Sequence, residues 1–433
     1  MTIKKTTMNF IDELKWRGMI HDMMPGTEHE FSKGITTAYI GFDPTADSLH
    51  IGSLVQIMIL VHLQKSGHKP IALVGGATGM VGDPTGRTSE RNMLDDETLQ
   101  KNLKGIRSQL EKFLDFKSGA NAAEMVNNYD WFKDFSFLDF IRDVGKHITV
   151  NYMMAKDSVK SRLESGMSFT EFSYQLVQGY DFYWLWKNKK CTVQLGGSDQ
   201  WGNIVTGTEL IRRKAGGDAF AVTTPLLKKA DGSKFGKSAG GNVWLDKTKT
   251  SPYKFYQYWI NTSDEDASNY IKIFTLKSKP EIDELIKEHL AVPHLRLLQK
   301  ELAKDITIRV HSVEDFEAAV HASEILFKKD EEAISGLNAL PEDVFNDIFE
   351  GVPQAEIALA DFNSGISIID ALVLKSNFFS SNGEARRSLK ENAVSINKSK
   401  VSEDKILTTS DLIKGKYVLV QKGKKNYYLI KAN

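Results

Sequence analysis

The pattern of apolar and polar positions in the first 225 residues predicts a layered α/β fold. Short runs rich in β-branched and aromatic residues predict strands at 37–42, 70–75, 123–127 and 191–195. Between them lie longer stretches with apolar residues every three to four positions, such as 54–63, which predict helices. This order is typical of a mostly parallel, Rossmann-like sheet with helices on both faces.

The pattern changes after Ser251. Helical periodicity continues to about residue 330, with Pro252 at a predicted helix start. An acidic stretch follows, in which we expect one or two helices and then a linker, and strand-like runs at 417–421 and 427–431 indicate a small α+β module at the end. The expected organisation is an α/β domain over 1–250, an α-helical domain over 251–330, an acidic linker over 331–362 and a small α+β domain over 363–433.

The amino-acid composition indicates the cellular compartment and whether a membrane is a partner. The chain has 433 residues, no net charge and one cysteine, Cys191, which favours a reducing compartment. The apolar run at 54–63 is too short to span a bilayer, which takes roughly 20 residues. We therefore expect a cytoplasmic protein without a membrane partner.

The charge is unevenly distributed along the chain. Residues 331–361 hold eight acidic residues and no lysine or arginine, whereas 384–433 hold twelve basic and five acidic residues. A basic terminal module is typical of nucleic-acid binding, and an unevenly charged solvated surface is the alternative.

Two short motifs, HIGS at 50–53 and KFGKS at 234–238, carry the chemistry. The first follows a predicted strand and the turn Asp43-Pro44-Thr45, and it opens a predicted helix. A helix start with an imidazole attracts phosphate, because free N–H groups and the helix dipole point there. Since no G-x-x-x-x-G-K-[ST] loop occurs, the two motifs together predict an ATP site of another kind.

The motifs resemble the two signatures of class I aminoacyl-tRNA synthetases, and the surrounding residues resemble the bacterial tyrosyl branch of that family. The matching stretches are 39–52, 73–79, 168–174 and 196–203, in the family's order. Residues 371–375, 383–390 and 393–397 resemble an S4-type RNA-binding domain. The resemblance implies an enzyme that activates tyrosine with ATP and transfers it to tRNA(Tyr).

Residue roles follow from this resemblance. The implied catalytic residues are His50, Ser53, Thr45, Lys234 and Lys237, with Lys229 as a possible assistant. The implied ATP-binding residues are Gly41, Asp43, Gly52, Gly197, Asp199 and Lys237. The implied tyrosine-binding residues are Tyr39, Asp83, Asn128, Tyr174, Gln178, Asp181 and Gln200. The expected tRNA contacts are Arg386, Arg387, Lys390 and Lys398. Mg²⁺ is expected to arrive with ATP, and the resemblance also implies a homodimer.

One position departs from the family pattern. The first motif of the family usually ends in a second histidine, where this chain has Ser53. Serine still donates a hydrogen bond but carries no charge, so its contribution is expected to be weaker. Two alternatives remain open from sequence: a tryptophanyl enzyme or other nucleotidyltransferase of the same fold, and a catalytically silent RNA-binding paralogue.

Overall fold

The computed structural model describes residues 9–83, 95–156, 159–160, 166–233, 235–238, 241–325, 330–350, 352–423 and 426–433. The chain forms two compact units. The first comprises Met1–Thr250 and Tyr258–Val310, and the second comprises Ser251–Gln257 and His311–Asn433. The division crosses the helix Pro252–Ile260. The predicted domain boundaries stay predictions, because compact units need not coincide with functional domains.

A six-stranded sheet forms the centre of the first unit. Its strands are β1 (Asp22–Met23), β2 (Thr37–Phe42), β3 (Lys69–Val74), β4 (Glu124–Asn127), β5 (Cys191–Gly197) and β6 (Phe220–Thr224). They lie in the order β1-β6-β5-β2-β3-β4, and all neighbours are parallel except β1 and β6. The predicted α/β class with a parallel sheet is confirmed. A further hairpin joins β7 (Lys237–Ser238) to β8 (Gly241–Asn242).

The four predicted strands are confirmed as β2, β3, β4 and β5, with ends that shift by at most two residues. The sequence interpretation missed β1 and β6. Strand β1 has only two residues, which is too short for an alternating pattern to be visible. It depends on backbone pairing with β6, which no local pattern records.

The first unit also contains many helices. They are Phe10–Trp16, Thr27–Ser32, Leu54–Lys65, Gly76–Val81, Asp96–Leu110, Tyr129–Phe132, Phe137–Asp143, Val150–Met154, Phe169–Lys189, Trp201–Ala215, Asp264–Phe274, Lys279–Ala291 and Leu297–Val310. The longest, Phe169–Lys189, begins with a capping box in which Ser168 and Glu171 satisfy each other's backbone N–H groups. A Cβ at Gly207 would lie 2.9 Å from Phe182, so glycine permits the close packing of Trp201–Ala215 on this helix.

The second unit contains a five-stranded sheet in the order β12-β11-β14-β15-β9. Its strands are β9 (Gln354–Ile357), β11 (Val394–Ile396), β12 (Ser399–Lys400), β14 (Tyr417–Lys422) and β15 (Asn426–Ala432). A separate pair joins β10 (Ile366–Ser367) to β13 (Ile406–Leu407). The helices are Val313–Ile325, Asp330–Ala339, Glu342–Ile348, Leu359–Ser364 and Asn382–Lys390, with a π-helix at Asp370–Lys375. The predicted terminal α+β module is confirmed.

The acidic stretch at 331–362, predicted to hold one or two helices and then a linker, contains helices and the strand β9. Leu337, Phe345 and Phe349 are buried in a core cluster of the second unit, and β9 pairs with β15. Glu342 and Asp343 are exposed in the first turn of their helix, where negative charge stabilises the helix dipole. The acidic composition thus reflects the solvated face of packed helices.

Across the described part of the chain, every helix is too short or too polar to cross a membrane.

Candidate active site

A cavity of about 360 Å³ opens at the carboxyl ends of β2 and β5. This is where ligands bind in parallel α/β sheets. Most residues predicted for catalysis, ATP binding and tyrosine binding line it. They are Tyr39, Gly41, Asp43, Thr45, His50, Gly52, Ser53, Asp83, Tyr174, Gln178, Asp181, Gly197, Asp199 and Gln200. Residues that are up to 161 positions apart in the sequence therefore line one cavity.

One end of the cavity is built around the start of the helix Leu54–Lys65. His50 has an extended backbone and caps a 3₁₀ turn, Ile51–Ser53, that continues into the helix. Its Nδ1 accepts a hydrogen bond from the Gly52 N–H at 3.0 Å. A neutral imidazole with Nδ1 as acceptor carries its proton on Nε2, which can donate to a phosphate oxygen. A Cβ at Gly52 would lie 2.6 Å from the imidazole, so this arrangement requires glycine.

A backbone ladder connects the two motifs. The Ile51 N–H donates to the Val243 carbonyl at 2.9 Å, and the Leu245 N–H donates to the Leu49 carbonyl at 2.9 Å. The Val243 N–H in turn donates to the Gly236 carbonyl at 3.2 Å. Residues 243–245 therefore bring the KFGKS motif beside the HIGS motif.

The structure describes the two lysines of the KFGKS motif only in part. Lys234 and the side chain of Lys237 lie outside the described residues, while the backbone of Lys237 belongs to β7. Gly236 has a φ of +95°, and a Cβ there would lie 3.3 Å from the Gly52 nitrogen. The close approach of the motifs at this point therefore favours glycine.

The opposite end of the cavity is a buried polar pair. Tyr39 is 1% exposed, and its hydroxyl has no hydrogen-bond partner among the described residues. Asp181 is 1% exposed and accepts hydrogen bonds from Asn128 Nδ2 at 3.1 Å and from Trp131 Nε1 at 2.9 Å. Burial raises the pKa of the Asp181 carboxyl to about 8, against the lowering effect of these two donors. Burial and the charge of Asp181 also raise the pKa of the Tyr39 hydroxyl.

Between the two ends lies a group of carboxylates and amides. Asp43 accepts from the Tyr174 hydroxyl at 3.4 Å and from Thr78 Oγ1 at 3.1 Å. Gln200 Nε2 donates to Asp83 Oδ2 at 2.7 Å. Burial raises the pKa of the Asp199 carboxyl, and the nearby charge of Asp83 raises it further. The buried Gln178 Oε1 has no partner in the described structure. These acceptors suit an ammonium group or ribose hydroxyls.

Asn128 does not line the cavity but lies behind it. Its amide donates to Asp181 and to Thr78 Oγ1, and its oxygen accepts from the Ala77 N–H at 2.6 Å. It therefore orients residues that face the cavity.

Sequence reasoning missed some residues at this site. Thr78, Gln56 and Gln194 line the cavity, and Trp131 donates to Asp181. Thr78 lies within the matching stretch 73–79, and Trp131 lies in an aromatic-rich segment, so both had a weak signal. Gln56 and Gln194 lie within apolar runs that read as helix and strand, so nothing in sequence separated them from core positions.

The predicted tRNA contacts lie in the second unit. Arg386, Arg387 and Lys390 are exposed on the helix Asn382–Lys390. Lys398 differs from them because it is half-buried, and its Nζ donates to the Tyr427 hydroxyl at 2.9 Å. The helix thus presents exposed positive charge, whereas the Lys398 Nζ lies over the Tyr427 ring.

Known proteins are similar to this chain in sequence and in fold. Residues 32–328 match the family described as tRNA synthetases class I (W and Y). Residues 344–430 match the tyrosine–tRNA ligase SYY-like C-terminal domain. The chain is similar to the tyrosine–tRNA ligase of Flavobacterium johnsoniae, with 62% identity over 430 residues that cover 98% of this chain and 99% of the relative.

Solved structures agree with this match. The fold is similar to a C-terminally truncated mitochondrial tyrosyl-tRNA synthetase from Aspergillus nidulans, with a TM-score of 0.67 and 31% identity over 74% of this chain and 94% of that chain. A tryptophanyl-tRNA synthetase from Plasmodium falciparum has a TM-score of 0.50 at 12% identity, over 75% of this chain and 87% of that chain. The second likeness concerns the fold alone.

Proposed function

This chain belongs to the class I tRNA synthetases for tryptophan and tyrosine, and we propose that within this family it is a tyrosine–tRNA ligase. One observation carries the choice of substrate. A single cavity has a phosphate-binding helix start at one end and the buried Tyr39–Asp181 pair at the other. A phenol hydroxyl fits that pair, since it can donate to the carboxylate and accept from the tyrosine hydroxyl. An indole has no hydroxyl for this pair.

The reaction has two steps. The carboxylate of tyrosine attacks the α-phosphorus of ATP, which forms tyrosyl-adenylate and releases pyrophosphate. The acyl group then moves to a ribose hydroxyl at the 3′ end of tRNA(Tyr), and AMP leaves. The nucleophile of the first step belongs to the substrate, so the protein contributes orientation and stabilisation of charge.

Residues at the phosphate end of the cavity promote the first step, the formation of tyrosyl-adenylate. His50 donates from Nε2 to a phosphate oxygen, Thr45 and Ser53 add neutral donors, and Lys234 and Lys237 neutralise the β- and γ-phosphates. These interactions strengthen as negative charge moves onto the leaving pyrophosphate, so they lower the barrier and do not merely tighten ATP binding. Mg²⁺ enters as the ATP complex and supplies further positive charge to the phosphates.

The rest of the cavity holds the nucleotide and the amino acid. Gly41, Gly52 and Gly197 let the nucleotide approach the backbone, and Asp43 and Asp199 accept from its hydroxyls. Asp83, Tyr174, Gln178 and Gln200 hold the ammonium group. Asn128 keeps Asp181 oriented toward the phenol.

Phenylalanine is excluded by the cost of an unmade hydrogen bond. Without a phenol, the Tyr39 hydroxyl would remain buried and unpaired, and Asp181 would keep only Asn128 and Trp131 as its partners. Leaving a buried donor or acceptor unsatisfied costs about 1–3 kcal/mol, and more for a charged group.

The second unit contributes tRNA binding. Arg386, Arg387 and Lys390 supply exposed positive charge for backbone phosphates, and Lys398 supplies another amine. We assign adenylate formation to residues 1–250 and tRNA contacts to 251–330 and 363–433, with 331–362 connecting them. The working compartment is the cytoplasm.

The enzyme works as a homodimer. Large apolar side chains are exposed along a short part of the chain: Phe137 at 64%, Leu138 at 77%, Val150 at 59% and Phe169 at 64%. Contiguous exposed apolar side chains mark protein–protein contacts, and we propose these four residues as part of the dimer interface. The double variant Phe137→Asp/Leu138→Asp should be monomeric in sedimentation experiments, whereas the variant Leu290→Asp, at another exposed leucine, should remain a dimer.

The deciding experiment is amino-acid-dependent exchange of pyrophosphate into ATP without tRNA. Tyrosine, phenylalanine and tryptophan are tested in parallel with the full chain and Mg²⁺. Exchange with tyrosine alone supports the ligase. Exchange with tryptophan would assign the other branch of the family, and folded protein without any exchange would favour a silent RNA-binding paralogue.

A further inference from the structure

Phe235, the second residue of the KFGKS motif, turns away from the polar loop into an aromatic socket. The socket consists of Tyr258, Trp259, Tyr270 and Phe274. The ring of Phe235 stacks on Phe274 with centroids 5.3 Å apart and an interplanar angle of 17°. It also meets Tyr270 edge-on at 5.0 Å and Trp259 at 6.0 Å.

The socket is built from buried aromatic residues. Trp259 is 0% exposed, Phe274 1% and Tyr270 2%. These residues come from the helices Pro252–Ile260 and Asp264–Phe274, and their rings pack edge to face on one another. Aromatic pairs of this geometry favour one arrangement over others, so the socket defines a position for the inserted ring.

Hydrogen bonds attach both ends of the motif loop to the same two helices. At the start of the loop, the Ala230 N–H donates to Asp266 Oδ1 at 2.9 Å. At its end, the Gly236 N–H donates to the Tyr258 hydroxyl at 3.4 Å. The half-buried ring of Phe235 lies between these two attachments.

Backbone hydrogen bonds connect the motif loop to the phosphate end of the cavity. Gly236 follows Phe235 directly, and its carbonyl accepts from Val243, whose own carbonyl accepts from Ile51. His50 precedes Ile51 and caps the helix start. A shift of the Phe235 ring would therefore move the backbone of Lys237, two residues later, relative to His50.

We propose that Phe235, held in this socket, is a positioning residue for the activation step, acting through the backbone of the lysine motif. This inference rests on the proposed ligase function and adds a residue that touches no substrate. The motif lysines act on pyrophosphate, which has left before tRNA is charged. Loss of Phe235 should therefore slow adenylate formation and leave acyl transfer unchanged.

A purely structural role makes a different prediction. If Phe235 only filled a hydrophobic core, its loss would lower the thermal stability of the first unit and weaken both steps together. The two steps are separable in experiment, since adenylate can be accumulated on the enzyme with pyrophosphatase and then mixed with tRNA in a single turnover.

The test compares Phe235→Ala and Phe235→Leu with the unmodified chain in both steps. Leucine keeps apolar burial without a stacking ring and serves if the alanine variant fails to fold. We expect Phe235→Ala to lower the exchange rate by about 10²-fold, the size of effect known for small misplacements of catalytic groups. Phe378→Ala is the matched control for exchange, because Phe378 is also half-buried and packs on Tyr428 at 4.6 Å in the second unit.

A double-mutant cycle with Lys237→Ala tests the route of the effect. If Phe235 acts through the lysine motif, Phe235→Ala should add little to the loss caused by Lys237→Ala. Equal loss in activation and transfer, a fully multiplicative double variant, or unchanged exchange would each overturn the inference. If the unmodified chain shows no tyrosine-dependent exchange, the proposed function itself fails, and the inference fails with it.

Discussion

The two ends of the cavity are built in different ways. The phosphate end uses backbone N–H groups at a helix start and residues from two short motifs, so its parts are neighbours in sequence within each motif. The phenol end uses side chains from β2, the turn after β4 and the middle of the helix Phe169–Lys189. In the proposed function, the first recognises charge that many ligands share, whereas the second recognises one hydroxyl. The residues proposed for phosphate binding thus come from short sequence motifs, whereas the residues proposed for tyrosine specificity come together only in the folded chain.

The largest effect should come from removing the imidazole at the phosphate end. His50→Ala removes a donor that is aimed at charge developing in the transition state. Loss of one such donor typically lowers kcat by about 10²–10³-fold. Pyrophosphate exchange measures this, and the control is His21→Ala, at an exposed histidine. A change confined to the KM for tyrosine would contradict the division between the two ends.

The next effect concerns the phenol end. Asp181→Asn removes the carboxylate that accepts the hydrogen bond of the phenol, and a hydrogen bond to a charged group is worth about 1.5–3 kcal/mol. The kcat/KM for tyrosine should fall, while the KM for ATP stays constant. Activation of phenylalanine should not fall in parallel, since it makes no such bond. Asp283→Asn, at an exposed carboxylate, is the matched control. An equal loss for both amino acids would indicate a general disruption of the site.

A pH dependence should also separate the two ends. The raised pKa of about 8 keeps Asp181 largely protonated at neutral pH in the ligand-free chain. A tyrosine that donates to the carboxylate must displace this proton, so affinity should rise with pH up to about 8, by at most about tenfold per unit. Equilibrium binding of tyrosine without ATP, between pH 6 and 8, measures the slope. The slope should vanish in Asp181→Asn, and a slope that persists would assign the titration to another group.

The same raised pKa has a consequence for stability, with a defined sign. A carboxyl whose folded pKa exceeds its unfolded value, near 3.8, supports folding fully below that value. This support is lost as the pH rises through about 8. Thermal unfolding of the ligand-free chain should therefore show a smaller decrease between pH 5 and 9 in Asp181→Asn than in the unmodified chain.

The smallest effect should come from Ser53, where the family usually has a second histidine. Ser53→Ala removes a neutral hydrogen bond, worth about 0.5–1.5 kcal/mol. The exchange rate should fall roughly twofold to tenfold, far less than in His50→Ala. Unchanged exchange would show that Ser53 does not contact ATP or the adenylate.

Local patterns predicted the elements that have strong periodicity. Strand β2 has the predicted ends, and the helix after His50 begins at Leu54 as expected. Both are apolar and follow clear turn signals. The acidic stretch shows the opposite case, because its negative charge concealed buried residues such as Phe345. Its Glu342 accepts from Lys416 at 2.8 Å, so part of the charge separation read from sequence is neutralised within the second unit.

Phe235 shows a further gap between sequence and structure. In sequence it is one aromatic residue between two lysines, and its partners lie 23 to 39 positions later. No periodicity links them, because the contact depends on how two helices pack. Gln194 is similar: it lies opposite Tyr39 in the sheet register, and only that register brings it to the cavity.

By itself, the sequence determined the α/β class, the terminal α+β module and the residue types at the site, since turns, caps and apolar periodicity act over a few neighbouring residues. Only the tertiary structure decided that Val243 ties the two motifs together, that Asn128 and Trp131 hold Asp181, and that Asp181 carries a raised pKa. These properties depend on burial and on contacts between distant segments. The access of water to a side chain and the local dielectric constant depend on all the residues that pack on it. No local stretch of sequence contains that information.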